Sequence, residues 1–211
     1  MIILAIDSAN FFLSIALLHK EKIIGYSENK AFQGGDSVLL PMIETLLSQC
    51  NLSVKNLTHI TVTLGPGSFT GTRVGIAVAR GLALCLNTPI LPINSFEWVA
   101  HSYKELNPSK LPLLVALESK RAESFVTLFS SDLKILRKAT YLRPEELKGY
   151  IGNHNPIIIG NAAYAFTSED TSWMPTAKEL ALYVQRKLAD NLSFEECIPF
   201  YLRPPEITSA I

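Results

Sequence analysis

Three apolar runs fill the first 27 residues, and the joins between them are too short for anything but hairpins. Ile2–Ile6, Leu13–Leu18 and Ile23–Ser27 each have the length of a strand, with polar breaks at Asn10 and at His19-Lys20-Glu21-Lys22. A parallel pair needs a crossover of about a dozen residues, so these strands are antiparallel neighbours. The pattern then changes. Asp36–Cys50 has helical spacing, Ile60–Leu64 is a β-branched strand, Thr72–Leu86 is helical, Ile90–Ile93 is a short strand and Phe96–Lys104 is helical. The order βββαβαβ specifies a mixed sheet, an antiparallel meander continued by parallel crossover strands, as in ribonuclease-H-like domains.

Past Leu106-Asn107-Pro108 the order starts again. Leu113–Leu117, Ser124–Phe129 and Ile135–Tyr141 read as strands; a helix after Pro144, a strand at Ile157–Ile159 and a helix at Ala177–Leu188 follow. The halves also rhyme locally: Leu4-Ala5-Ile6-Asp7-Ser8 parallels Val115-Ala116-Leu117-Glu118-Ser119, and a strand runs into Gly65-Pro66-Gly67 in one half and Gly160-Asn161-Ala162 in the other. The expectation is a duplicated α/β fold of two units, residues 1–106 and 107–211, the second reduced, with helix 177–188 placed to fold back on the first.

At 211 residues, with 48% hydrophobic and 18% charged side chains, the chain can bury a substantial core, which excludes a disordered protein. Nineteen basic residues balance nineteen acidic ones, so no long-range field gathers a polyanion, and nucleic acid would be held chiefly by another chain. Cys50, Cys85 and Cys197 are an odd count without CxxC spacing, which suggests a reducing compartment. No basic start precedes the first apolar run, and no charge-free run approaches the roughly eighteen residues of a membrane helix. The expectation is a cytoplasmic protein with no membrane contact.

Candidate chemistry is sparse. Gly65-Pro66-Gly67-Ser68-Phe69-Thr70-Gly71-Thr72-Arg73 joins a strand to a helix, with Thr70 as the expected N-cap. The loop is either a tight turn beside a packed glycine or, through Gly65 and Gly67, a contact for an anion or ligand. It lacks the GxxxxGK[ST] spacing of a P-loop. Asp7, at the end of the first strand, is either a turn-capping carboxylate or the acid of a magnesium-nucleotide site. The following Ser8-Ala9-Asn10-Phe11-Phe12 has no glycine with which to wrap phosphates. His19, His59, His101 and His154 form no HxxxH or HExxH pair, and there is no GxSxG elbow, so neither a metal site nor a catalytic set is expected. Lys134, Arg137, Lys138 and Arg143 read as a solvated strand edge or a weak phosphate-facing strip.

The two helices flanking the glycine loop are too apolar for one-sided packing. Apolar residues of Val38–Cys50 cover an arc of about 200°, against roughly 100° for a surface helix. In Thr72–Leu86 only Arg73 and Arg80, which point the same way, interrupt an apolar surface. Either these helices are central to a large core, or a partner covers Leu39, Met42, Ile43, Leu46, Val74, Ile76, Val78 and Leu82.

Ile3-Leu4-Ala5-Ile6-Asp7-Ser8, Leu40-Pro41-Met42-Ile43, the block Gly65–Ala83 and Phe200-Tyr201-Leu202-Arg203 together resemble the TsaB (YeaZ) family of the bacterial threonylcarbamoyladenosine tRNA-modification system. The likeness is strong over residues 1–125 and collinear beyond. It implies an actin-like, Hsp70-like (ASKHA) ATPase fold with a reduced second half. It also implies a non-catalytic subunit that binds and stabilises a TsaD-like paralogue, which transfers threonylcarbamoyl to N6 of adenosine 37 in tRNAs reading ANN codons. A TsaE-like ATPase would join the pair, the chain would form a homodimer when alone, and tRNA would be met only through the complex. No cofactor is expected on this chain alone; a nucleotide at the joint between subunits stays open. The likeness places the dimer contact on the two apolar helices. Gly35-Asp36-Ser37 and Glu118-Ser119-Lys120-Arg121 depart from the family pattern. The competing reading is a stand-alone nucleotide-dependent phosphotransferase of the sugar-kinase-like fold using Asp7 and the glycine loop; a peptidase has no visible machinery.

Overall fold

A computed structural model describes residues 1–10, 12–30, 37–119, 121–169 and 173–202. Asp36, Lys120 and Arg203, on which expectations were placed, lie outside the described residues. Strands β1 (Ile2–Asp7), β2 (Leu13–His19), β3 (Lys22–Asn29), β4 (His59–Thr63) and β5 (Ile90–Ile93) form one sheet in the order β3-β2-β1-β4-β5. The meander β1-β2-β3 is antiparallel, and β4 and β5 continue it in parallel with β1. Strands β6 (Leu113–Leu117), β7 (Ser124–Phe129), β8 (Ile135–Leu142) and β9 (Ile157–Ile159) form a second sheet, β8-β7-β6-β9, with the same pairing senses. It repeats the first four strands of the first sheet. The fold is therefore a duplicated ribonuclease-H-like α/β architecture with a reduced second half.

Both faces of the first sheet are covered, which is why β1 reads as an unbroken apolar run rather than an alternation. Leu4 and Ile6 point to one side, where α1 (Leu39–Gln49) and α2 (Phe69–Leu86) supply Leu39, Ile43, Leu46, Ile76 and Ala79. Ile3 and Ala5 point to the other, into a core shared with Leu113, Val115 and Leu117 of β6, α3 (Ser95–Leu106) and α5 (Ala177–Ala189). Helix α5 thus crosses back from the second half and packs on β1 and β2. Its start is fixed by a capping box between Thr176 and Glu179, and its Ala177 N–H donates to Ser14 Oγ of β2 at 3.0 Å. The outer face of the second sheet carries a smaller core around Leu114, Ala116, Val126 and Leu128, beneath α4 (Leu147–Ile151).

Candidate functional site

The carboxyl ends of β1 and β4 bring Asp7, Gly65 and Gly67 into one neighbourhood. Asp7 is 2% exposed and accepts hydrogen bonds from the Thr63 hydroxyl at 2.9 Å, the Asn10 side-chain amide at 2.7 Å and the Ala9 N–H at 3.3 Å. Burial outweighs these bonds and pushes its carboxyl up to about 6. The turn after β1 is thereby tied to β4.

The glycines serve the same junction. A Cβ at Gly67 would collide with the Ala9 carbonyl, one at Gly71 with the Ser8 carbonyl, and one at Gly75 with the Ser8 hydroxyl. Glycines four residues apart along α2 form a groove that seats the turn after β1, and Ser8 Oγ donates back to the Gly71 carbonyl at 2.8 Å. Gly65 has φ +91°, a conformation that L side chains rarely adopt. The expected N-cap moves by two residues: Ser68, not Thr70, accepts from Gly71 N–H at 3.2 Å, and α2 begins at Phe69.

Two amides of the turn are engaged within the chain: Ser68 N–H is bound to the Ala9 carbonyl at 2.6 Å and Gly71 N–H to Ser68 Oγ. Gly65 and Gly67 thus close the junction between β4, α2 and the turn after β1. A cavity of about 340 Å³ does open beside Asp7, lined by Tyr26 and Glu28 of the first sheet and by Asn161 and Thr176 of the second half. Its polar walls are largely paired: Tyr26 donates to Glu28 at 2.6 Å, Lys30 lies 3.3 Å from Glu28, and Asn161 Oδ1 accepts from Glu118 N–H at 2.9 Å. Among the described residues no group of three or more His, Cys, Asp or Glu side chains could hold a metal ion.

The expected partner residues divide. Leu39, Ile43, Leu46 and Ile76 are buried in the chain's own core, at 4% exposure or less, which corrects their assignment to an intermolecular surface. They lie on the helix faces turned to the sheet, a direction that periodicity alone leaves undetermined. Met42, Val74, Val78 and Leu82 are half-buried at the edges of that core. The bare face of α2 is instead Thr70, Ala77, Gly81, Leu84 and Cys85, with Leu84 85% exposed; Leu40 of α1 is 51% exposed. Leu40 and Leu84 were missed because every side of each helix looked apolar. By length and composition α2 also passes as a membrane span, although it carries Arg73 and Arg80 and packs on β4.

A third side of α2 is closed by the chain itself. Phe200 N–H donates to the Leu64 carbonyl at 2.8 Å, and Arg73 Nε donates to the Tyr201 hydroxyl at 2.7 Å. The Arg73 guanidinium stacks 3.9 Å from the Phe69 ring centroid, and Arg80 lies near Cys197, whose thiol burial pushes up. The two arginines that break the apolar surface of α2 mark the side on which this segment lies.

Comparison with known proteins fits this geometry. Residues 25–199 match the family model described as TsaD, tRNA N6-adenosine threonylcarbamoyltransferase. The tRNA threonylcarbamoyladenosine biosynthesis protein TsaB of Haemophilus influenzae is 27% identical over 95% of this chain and 93% of its own length. The TsaB protein of Bacillus subtilis is 31% identical over 61% of this chain, and the match spans only 55% of that relative. The solved structure of YeaZ from Pseudomonas aeruginosa superposes with a TM-score of 0.71 over 95% of this chain and 99% of that one, at 22% identity. The chain therefore belongs to the family described by the TsaD model, in its TsaB (YeaZ) branch.

Proposed function

We propose that this chain is a non-catalytic subunit for threonylcarbamoyl transfer to N6 of adenosine 37 in tRNAs reading ANN codons, acting by docking and stabilising a TsaD-type catalytic subunit in the cytoplasm. One observation carries the reading: the longest helix among the described residues, α2, leaves Thr70, Ala77, Gly81 and Leu84 bare, flanked by the exposed Arg73 and Arg80, and Leu40 of α1 is exposed as well. Small residues permit close helix approach, and a bare leucine supplies the apolar area that a partner covers. In isolation the same face pairs with a second copy. A TsaE-type ATPase joins the assembled pair, and any nucleotide belongs to the joint between subunits, since the glycine turn here is filled by Ser8 and Ala9.

The test mixes the purified chain with TsaD-type and TsaE-type subunits and measures threonylcarbamoyladenosine in an ANN-decoding tRNA. The chain alone is inactive, and the mixture is active. Leu84→Glu keeps native circular dichroism, sediments as a monomer and fails to support the reaction. Tight binding and turnover of magnesium-ATP by the isolated chain would establish a phosphotransferase instead.

A further inference from the structure

The strand β8 is one of the two edges of the second sheet, and its first half does not alternate. A regular edge strand turns every second residue inward, yet Lys134, Ile135, Leu136, Arg137 and Lys138 are all exposed. The pairing shows the cause. Val126 faces Thr140, Leu128 faces Arg137 and Phe129 faces Ile135, so β8 carries two extra residues against β7 and is bulged on either side of Arg137. The hydroxyl of Tyr150, from α4, is within hydrogen-bond reach of the Arg137 carbonyl at 3.3 Å and the Lys138 carbonyl at 2.9 Å and holds the irregular stretch in place. Consecutive side chains that a flat strand would divide between two faces are all turned to solvent.

Among the described residues none of Lys134, Arg137 and Lys138 has an acidic partner. Arg143, the fourth basic residue of this stretch in the sequence, does: its Nε lies 3.5 Å from Glu123. In a chain of zero net charge this is a local concentration of uncompensated positive charge on a braced backbone. We infer that the bulged edge Lys134–Lys138 is a contact for the phosphate backbone of tRNA, made by this chain itself when it stands in the complex of the proposed function, on which the inference rests. Charge complementarity selects the occupant: three unpaired cations on one short edge suit a chain of regularly spaced phosphates, and contacts of this kind orient a nucleic acid without reading its sequence. The exposed Ile135 and Leu136 lie between the cations and do not oppose them.

The experiment uses the full chain assembled with a TsaD-type subunit and an unmodified tRNA transcript, with affinity measured between about 50 and 200 mM salt. Lys134→Gln/Arg137→Gln/Lys138→Gln is expected to weaken binding tenfold or more and to lower the slope of log affinity against log salt by about 2, close to 0.7–0.9 per lost phosphate contact. The charge-preserving Lys134→Arg/Arg137→Lys/Lys138→Arg stays near wild type, as does Lys20→Gln/Lys22→Gln at the turn from β2 into β3. If the triple variant does not fold, Arg137→Gln and Lys138→Gln singly each lower the slope by just under one. Unchanged affinity and slope in a complex that still assembles would overturn the inference and leave the cations as guards against edge-to-edge aggregation. Loss of binding to anionic vesicles with tRNA binding intact would overturn it as well. Failure of the wild-type chain to assemble with the catalytic subunit would count against the proposed function, whereas the slope reports on the strip alone.

Discussion

The two halves end the strand that pairs in parallel with their first strand in the same way and differ in what comes next. After β4, Gly65 takes φ +91° and Ser68 N–H binds the Ala9 carbonyl; after β9, Gly160 takes φ +108° and Ala162 N–H binds the Ala116 carbonyl at 3.1 Å. In both, the chain leaving the parallel strand presses against the backbone at or just beyond the end of the first strand, and glycines make room for the approach. The first half then continues into the 18-residue α2, the second into a single 3-10 turn at Ala163–Ala165. Sheets and glycine seats are thus the part that a second unit needs in order to share the common core. The long helix that follows the glycine turn is an addition made by the first half alone.

The comparison is most easily broken at its shared feature. Gly71→Ala and Gly160→Ala each drive a methyl into a carbonyl oxygen of the first strand or the turn after it, Ser8 in one half and Ala116 in the other. Each is expected to lose about 3 kcal/mol in urea unfolding, with Gly160→Ala the worse because of its positive φ. If Gly160→Ala is tolerated while Gly71→Ala is not, the two junctions are not equivalent.

Strand order, hairpins and the internal repeat were legible because strand length and join length leave few topologies. For Asp7 the sequence offered two readings, a turn cap and the acid of a nucleotide site, and the Ala9 N–H and Asn10 amide on its carboxylate fit the first. The faces of α1 and α2 were not legible: Leu39 and Leu40 are adjacent and chemically identical, yet one is buried and the other 51% exposed. Nothing in Phe200-Tyr201 announced a segment that returns to Leu64 and Arg73, since a contact across 128 residues leaves no local period. The bulges of β8 were hidden for a related reason, because an inserted residue is defined by its partner strand.

A second way to separate the halves is pH. At the end of β1 Asp7 is buried, whereas at the end of β6 Glu118 is half-buried and accepts from Tyr164 at 2.9 Å. The Asp7 carboxyl is raised from 3.8 to about 6 in the fold, so the native chain keeps a proton that the unfolded chain has lost between those values. The stabilising contribution is complete at the acid end and disappears as pH rises through 6; two units correspond to about 3 kcal/mol. Between about pH 4 and 7 wild type should therefore lose up to that amount relative to Asp7→Asn, measured by urea midpoints across pH. A constant difference would mean that the bonds from Thr63, Asn10 and Ala9 cancel the burial.

A smaller effect tests whether the segment at Phe200-Tyr201, a strap along α2, belongs to the first half's construction. Tyr201→Ala removes the hydroxyl that Arg73 binds and one of the two rings near its guanidinium, whose carbon lies 5.6 Å from the Tyr201 centroid. Because both groups are partly solvated, the expected loss is about 1 kcal/mol by thermal unfolding, with Tyr201→Phe recovering the ring's share. No loss in either variant would show the strap as held by Phe200 alone.

The smallest effect is the most discriminating for the bare face. A Cβ added at Gly81 meets nothing within 4 Å, and Gly81 lies inside a helix, where alanine is favoured over glycine. Gly81→Ala should stabilise the isolated chain by about 0.5–1 kcal/mol. A docked helix changes the sign of the argument, because the same methyl then occupies space that glycine leaves to the partner. A more stable monomer with weaker assembly is the outcome that a docking face requires. Higher stability together with unchanged assembly would locate the contact elsewhere on α2, and the half-buried rim at Val74 and Val78 would be the next place to probe with the same pairing of stability against sedimentation.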